Sequence, residues 1–207
     1  MERQTPCREK RSPRASFQQF PSLGISRMML LAVCAIITGK PLAPQSQGLT
    51  EHQIKAGFLF NFTKFVEWPE GTFADSSSPI ILGVVGESPF GNLLAETAAG
   101  KSVNGRAVVV RQFKEGQDLR SCQVLFIVAM DKKRMQETLG KLKGSRVLTV
   151  GEGSGFTQSG GMIAFLVEGN RVRLEIDLQT AAEAHLKISA KVIAVARLVA
   201  REAREKN

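Results

Sequence analysis

The sequence predicts a single-domain α/β fold, a layered sandwich in which a mixed, mostly parallel sheet carries helices on both faces and ends in a C-terminal antiparallel hairpin. Three observations predict it. Four short runs, 79–85, 106–110, 122–128 and 146–150, are β-branched and nearly continuous in apolar character, as strands covered on both faces tend to be. Helical stretches at 90–99 and 132–142 lie between the first two runs and between the last two, the alternation that right-handed parallel crossovers require. Finally, 162–167 and 171–177 flank Gly169-Asn170, a two-residue hairpin turn.

At the N-terminus Arg3, Arg8, Lys10, Arg11, Arg14 and Arg27 precede the apolar run 28–38, and small and polar residues follow through Gln47. Positive, apolar, polar is the order of a secretory signal, and the apolar run is too short for a permanent span. Residues 1–47 are therefore expected to be a leader, 48–203 the folded domain and 204–207 a tail, in an exported protein. The formal charge of +9 divides into +5 within residues 1–40 and +4 after them. The folded part is only mildly basic, and Lys132-Lys133-Arg134 has no aromatic interleaving, so nucleic acid is not an expected partner.

The domain opens with Thr50 and Gln53 at capping-box spacing, and Leu49 with Ile54 at the spacing of a hydrophobic staple. On a helical wheel Ile54, Phe58, Leu59, Phe62, Phe65 and Val66 share one arc, the stripe of a core-facing helix. Trp68-Pro69 is expected to end it, because proline disfavours helix at the residue before it. In the closing hairpin 162–167 is apolar throughout, whereas Val172, Leu174 and Ile176 alternate with Arg171, Arg173, Glu175 and Asp177. That alternation predicts a half-solvated strand near the sheet edge. Residues 179–204 read as one last helix with Val192, Ile193, Ala196 and Val199 buried and Arg197, Arg201 and Arg204 at its solvated end.

Several segments imitate catalytic motifs and fail on context. Gly100-Lys101-Ser102 lacks the earlier glycine of a phosphate loop, since Ala95 stands there, and it follows a helix where a strand is needed. Gly151 to Gly155 follows a strand, but Phe156 replaces the third glycine of a dinucleotide fingerprint and a strand is expected next. His52 and His185 have no ligand-spaced neighbours, and tyrosine is absent. With Cys7 and Cys34 in the leader, Cys122 is left without an intramolecular mate and reads as a small buried hydrophobe. The expectation is a protein that is not an enzyme, with no catalytic residues, metal or cofactor.

Some side chains do not fit the core pattern. Lys55 falls within the apolar arc of the first helix, which leaves two readings: a stem snorkelling to water, or a buried ammonium paired with a carboxylate such as Glu175 or Asp177. Phe60 lies opposite the main stripe, either an exposed anchor for a partner or a ring buried under a further layer. Trp68 reads as core, and Gly160-Gly161 as a bulge or turn. Lys55, Phe60, Arg173 and Asp177 are the candidates for contact with a partner.

The run 55–69, with Phe58, Asn61, Phe62, Lys64, Phe65, Trp68 and Pro69, resembles the opening of the YfiR family of exported Gram-negative proteins. The similarity continues through Phe90-Gly91, the Cys122 strand, Phe156 with Gly160-Gly161, the Arg171 to Asp177 strand and Leu186 to Ser189, and so spans essentially the whole domain. The resemblance implies a periplasmic regulator that inhibits an inner-membrane diguanylate cyclase by binding its periplasmic portion, with an outer-membrane-linked protein able to sequester it. Two departures stand out: relatives can carry additional cysteines that form disulfides, and Asp177 stands where relatives more often have asparagine. The rival reading is a periplasmic small-molecule-binding module serving a neighbouring transport or signalling system; a homodimer is compatible with either.

Overall fold

The structure is a computed structural model and describes residues 49–199 apart from 115, 129 and 170. The leader, Arg201, Arg204, the 204–207 tail and Asn170 of the hairpin turn lie outside the described residues. In chain order the elements are α1 (Glu51–Phe65), β1 (Val66–Glu67), β2 (Ile80–Val85), α2 (Leu93–Ala98), β3 (Ser102–Val103), β4 (Arg106–Phe113), β5 (Val124–Ile127), α3 (Lys132–Leu142) and β6 (Leu148–Glu152). They continue with α4 (Gly155–Gln158), β7 (Ile163–Glu168), β8 (Arg171–Ile176), α5 (Leu178–Glu183), β9 (Lys187–Ile188), α6 (Ala190–Ile193) and β10 (Ala196–Leu198).

One eight-stranded sheet runs in the order β10-β8-β7-β6-β5-β2-β4-β3, and β1 pairs with β9 apart from it. The five strands β4, β2, β5, β6 and β7 are mutually parallel. Taken in order of synthesis they lie second, first, third, fourth, fifth, so the winding reverses direction between β2 and β5. β7 and β8 form the antiparallel hairpin, with Glu168 opposite Arg171 across the two-residue connection.

Two layers of side chains cover the sheet. On one face Leu82, Val84, Val124, Phe126, Leu148, Val150 and Phe165 pack with Ala56, Leu59 and Phe62 of α1. On the other, Leu125, Ile127 and Ala164 meet Leu139 and Leu142 of α3, with Phe156 and Cys122 beside them. Burial on both faces is why the central strands are uninterrupted apolar runs.

The capping box of α1 is present: the Thr50 hydroxyl accepts from Gln53 N at 3.3 Å and the Gln53 carboxamide accepts from Thr50 N at 2.8 Å. Leu49 stays exposed, so the staple does not bury it. The helix stops at Phe65, three residues before Trp68, because Val66 and Glu67 turn extended to pair with Ile188 and Lys187. Its buried arc, Lys55, Ala56, Leu59, Phe60, Phe62 and Thr63, is rotated from the expected stripe, and Ile54, Phe58 and Phe65 are half-buried. A second covering layer explains the rotation: Phe60 packs with Ile80, Ala98, Val103 and Val108, under α2 and β3.

Of the helix expected over 179–204, the described residues 179–199 are broken into α5, β9, α6 and β10. His185, at φ 59°, ends the first piece in the left-handed region. Lys187–Ile188 then pairs with β1, and Ala196–Leu198 pairs in parallel with β8, where Arg197 also meets Glu168 at 3.2 Å. Of the expected stripe only Val192 is buried. β10 lies outside β8, so the alternating strand is next to the sheet edge, but Glu175, covered by Thr157 of α4, and Asp177, the cap of α5, are buried instead of solvated. The Gly151 to Gly155 segment also differs from expectation, since the single-turn α4 and not a strand follows it.

Candidate functional site

Lys55 settles its two readings. It is 4% exposed, and its ammonium pairs with Glu51 one turn earlier on α1 and with Glu152 at 2.6 Å, at the carboxyl end of β6. The partners are therefore not Glu175 or Asp177. Burial opposes the charge on Lys55, but hydrogen bonds to Glu152 and Glu51 outweigh it and hold its pKa above the ordinary lysine value. The same bond holds the Glu51 carboxyl below its ordinary value. One buried ammonium thus fastens α1 to the end of a central strand.

Phe60 is core and not an exposed anchor, at 5% exposure. The ammoniums of Lys64 and Lys101 stand over its ring, 4.7 and 4.9 Å from the centroid, so two cations meet the aromatic face. Asn61 is half-buried on the same helix. Trp68 is half-buried, edge-on to Phe73 at 6.3 Å, and its indole N–H is buried without a partner among the described residues.

Asp177 is fully buried and caps α5: its carboxylate accepts from Thr180 N at 3.0 Å and from the Thr180 hydroxyl at 2.8 Å. Glu175, on the sheet face opposite α1, accepts from the Thr157 hydroxyl at 2.5 Å. Arg173 is exposed and level with Leu166 near the carboxyl end of β7, whereas Asp177 N donates to Met162 O at the other end of that strand. The four partner candidates therefore do not meet at one place.

Phe156 explains the glycines around it. A Cβ at Gly161 would lie 2.1 Å from the ring and one at Gly151 2.3 Å, so the backbone at both positions admits the ring only because those side chains are missing. Gly160 takes the turn, at φ 101°. Cys122 is free and buried; burial pushes its thiol up to about 12, and its S–H donates to Leu119 O at 3.1 Å. Glu152, Thr157 and Phe156 were not singled out by sequence as partners of these groups. Glu152 and Phe156 lie in the Gly-Glu-Gly-Ser-Gly-Phe run that the sequence marks, and Thr157 follows it.

The arrangement is one of clamps and caps. Among the described residues no three His, Cys, Asp or Glu side chains gather as a metal-holding group, and no helix is long and apolar enough to cross a membrane.

A family model described as YfiR/HmsC-like matches residues 52–197. Among solved structures, a conserved domain protein from Vibrio cholerae is similar at 13% identity and a TM-score of 0.48, over 72% of this chain and 60% of that one. This chain thus spans about 60% of the length of that Vibrio chain.

Proposed function

The chain belongs to the YfiR/HmsC-like family, and from that premise we propose that it is an exported periplasmic regulator acting on an inner-membrane signalling protein, a diguanylate cyclase, through binding and not catalysis. The observation that carries the reading is the extent of the match: residues 52–197 run from the first turn of α1 into β10. The family likeness is therefore to the whole fold and not to a fragment.

Regulation by a bound protein is a population shift. The regulator must bind the inactive cyclase more tightly than the active one, and the difference sets how far activity falls. A scaffold that presents a fixed surface suits this task, and the buried fastening of α1 by Lys55 is in keeping with it. Control by an internal disulfide has no place in this reading, because Cys122 is the sole described cysteine and is buried.

Three experiments test the proposal. The mature protein should be found in the periplasm with a mass lacking residues 1–47. Deleting the gene should raise cellular cyclic di-GMP and surface attachment, and the purified protein should be retained by the periplasmic portion of a cyclase encoded beside it. A deletion that leaves cyclic di-GMP unchanged removes the cyclase from the reading.

A further inference from the structure

We propose that the open groove at the carboxyl ends of β2, β4 and β5 binds a small organic monoanion with an apolar body. This goes beyond the regulatory reading and does not rest on it. Topology places the groove: in doubly wound sheets, ligand crevices form outside the carboxyl ends of the strands where the winding reverses, and here that point lies between β2 and β5. A cavity of 1260 Å³ opens there. It is somewhat larger than the ~300–1,000 Å³ of ordinary small-molecule sites, so a ligand and several waters fit together.

The floor is apolar. Val85 ends β2, Phe113 ends β4 and Val128 follows β5, with Leu119 and Met130 completing the surface. These side chains remove a ligand's apolar body from water without choosing its identity.

The charges above the floor set the class. Among the described lining residues Lys114, Arg120, Arg134 and Lys141 stand against Glu87, Asp118, Asp131 and Glu137, four of each sign. Balanced charge disfavours polyphosphates and other polyanions. The acids are not equivalent, however. Asp118 accepts from Arg120 N and Asp131 from Arg134 N, each at 3.0 Å, so both are engaged in capping backbone.

Arg120 is the presented cation. Its Nη2 and Nε donate to the Lys141 carbonyl at 2.8 and 3.3 Å, which holds the guanidinium plane without neutralising it. Among the described residues no carboxylate lies within ion-pair distance of Arg120, Lys114 or Lys141. A held guanidinium with N–H groups to spare matches a planar carboxylate or a sulfonate. Among the described lining residues Glu87 and Glu137 offset the cations that remain, which favours one negative group over several.

The test uses anilinonaphthalene sulfonate, an apolar monoanion that fluoresces when shielded from water, beside the neutral probe phenylnaphthylamine. The wild-type protein should bind the anionic probe saturably at one site. Arg120→Gln should weaken that binding by about tenfold, the worth of a charge-assisted hydrogen bond, and leave the neutral probe unaffected. Met130→Glu should abolish binding of both, whereas Leu198→Glu, on the exposed edge of β10, should change neither. Circular dichroism establishes that each variant is folded, and Leu119→Glu replaces Met130→Glu if that protein does not fold. Benzoate should displace the probe better than the more highly charged phenyl phosphate. Absence of saturable binding, equal affinity in Arg120→Gln, loss in Leu198→Glu, or stronger displacement by phenyl phosphate each overturns the proposal. None of these measurements involves a cyclase, so failure here is distinct from failure of the regulatory reading.

Discussion

Lys55 on α1 and Glu152 at the end of β6 stand 97 positions apart in the chain and 2.6 Å apart in space. This pair fastens the first helix to the middle of the sheet through a side chain that the apolar stripe would otherwise exclude. The ammonium is buried while its carboxylates, Glu51 and Glu152, remain 44% and 29% exposed. Water therefore shares in the pairing, and the contact is worth less than a fully buried ion pair.

Lys55→Met keeps the stem and removes the charge. It should cost about 1–2 kcal/mol, the range for hydrogen bonds to a charged group after discounting for solvent. Glu152→Gln, which keeps an acceptor, should cost less. Urea unfolding of the three proteins measures both differences.

The same network sets a pH dependence. Glu51 has a lower pKa folded than unfolded, so its contribution is in place above its ordinary value of 4.5 and is lost as pH falls through the depressed one. Lys55 has a higher pKa folded than unfolded, so its contribution is complete below 10.5 and is lost as pH rises through the raised value. The stability gap between wild type and Lys55→Met should be flat from about pH 5 to 10 and narrow at both extremes. A gap that does not change at either end would contradict the pairing.

Cys122 should be inert. With its thiol pushed up to about 12, folded protein should resist alkylation by iodoacetamide at neutral pH and react only once unfolded. Cys122→Ala should cost about 1 kcal/mol of packing, and melting temperatures of wild type should not depend on reductant.

Gly161→Ala tests the seat of Phe156. The added methyl would meet the ring at 2.1 Å, and overpacking of this kind should cost about 1–3 kcal/mol. Pairing it with Phe156→Leu should recover part of the loss, so a double-mutant cycle should show strong coupling. Additive losses would place the ring elsewhere.

Asp177→Asn should be nearly neutral, whereas Asp177→Ala should cost about 1–2 kcal/mol. Asparagine retains an oxygen to accept from Thr180 N and can donate to the Thr180 hydroxyl; alanine can do neither. Thermal melts of the two variants separate them.

Local signals predicted the elements they govern. Lys132–Leu142 forms a helix over the expected residues, with the Asp131 carboxylate as its cap, and the hairpin has the register that a two-residue turn requires. The misread elements depend on distant partners. Residues 179–204 have helix-favouring composition throughout, but pairing with β1 and β8 overrides local propensity. The wheel left Phe60 open between exposure and burial under a further layer, because one helix does not show how many of its sides are covered, and α2 with β3 covers a second. Lys55 was legible as an anomaly, yet nothing near it in the chain points to Glu152. The alternation around Glu175 was real, but α4 brings Thr157 onto that side chain, and nothing beside Glu175 in the chain points there.

The pairing of β1 with β9, together with the 2.8 Å bond from Ser189 N to Phe65 O, means that the first helix is terminated by residues made long after it. During synthesis, α1 has no strand to turn into until residue 188 is available. The contact joins opposite ends of the domain, and closures of such long range come late and slowly. A growing chain therefore lacks this closure until residues 187–189 have been made.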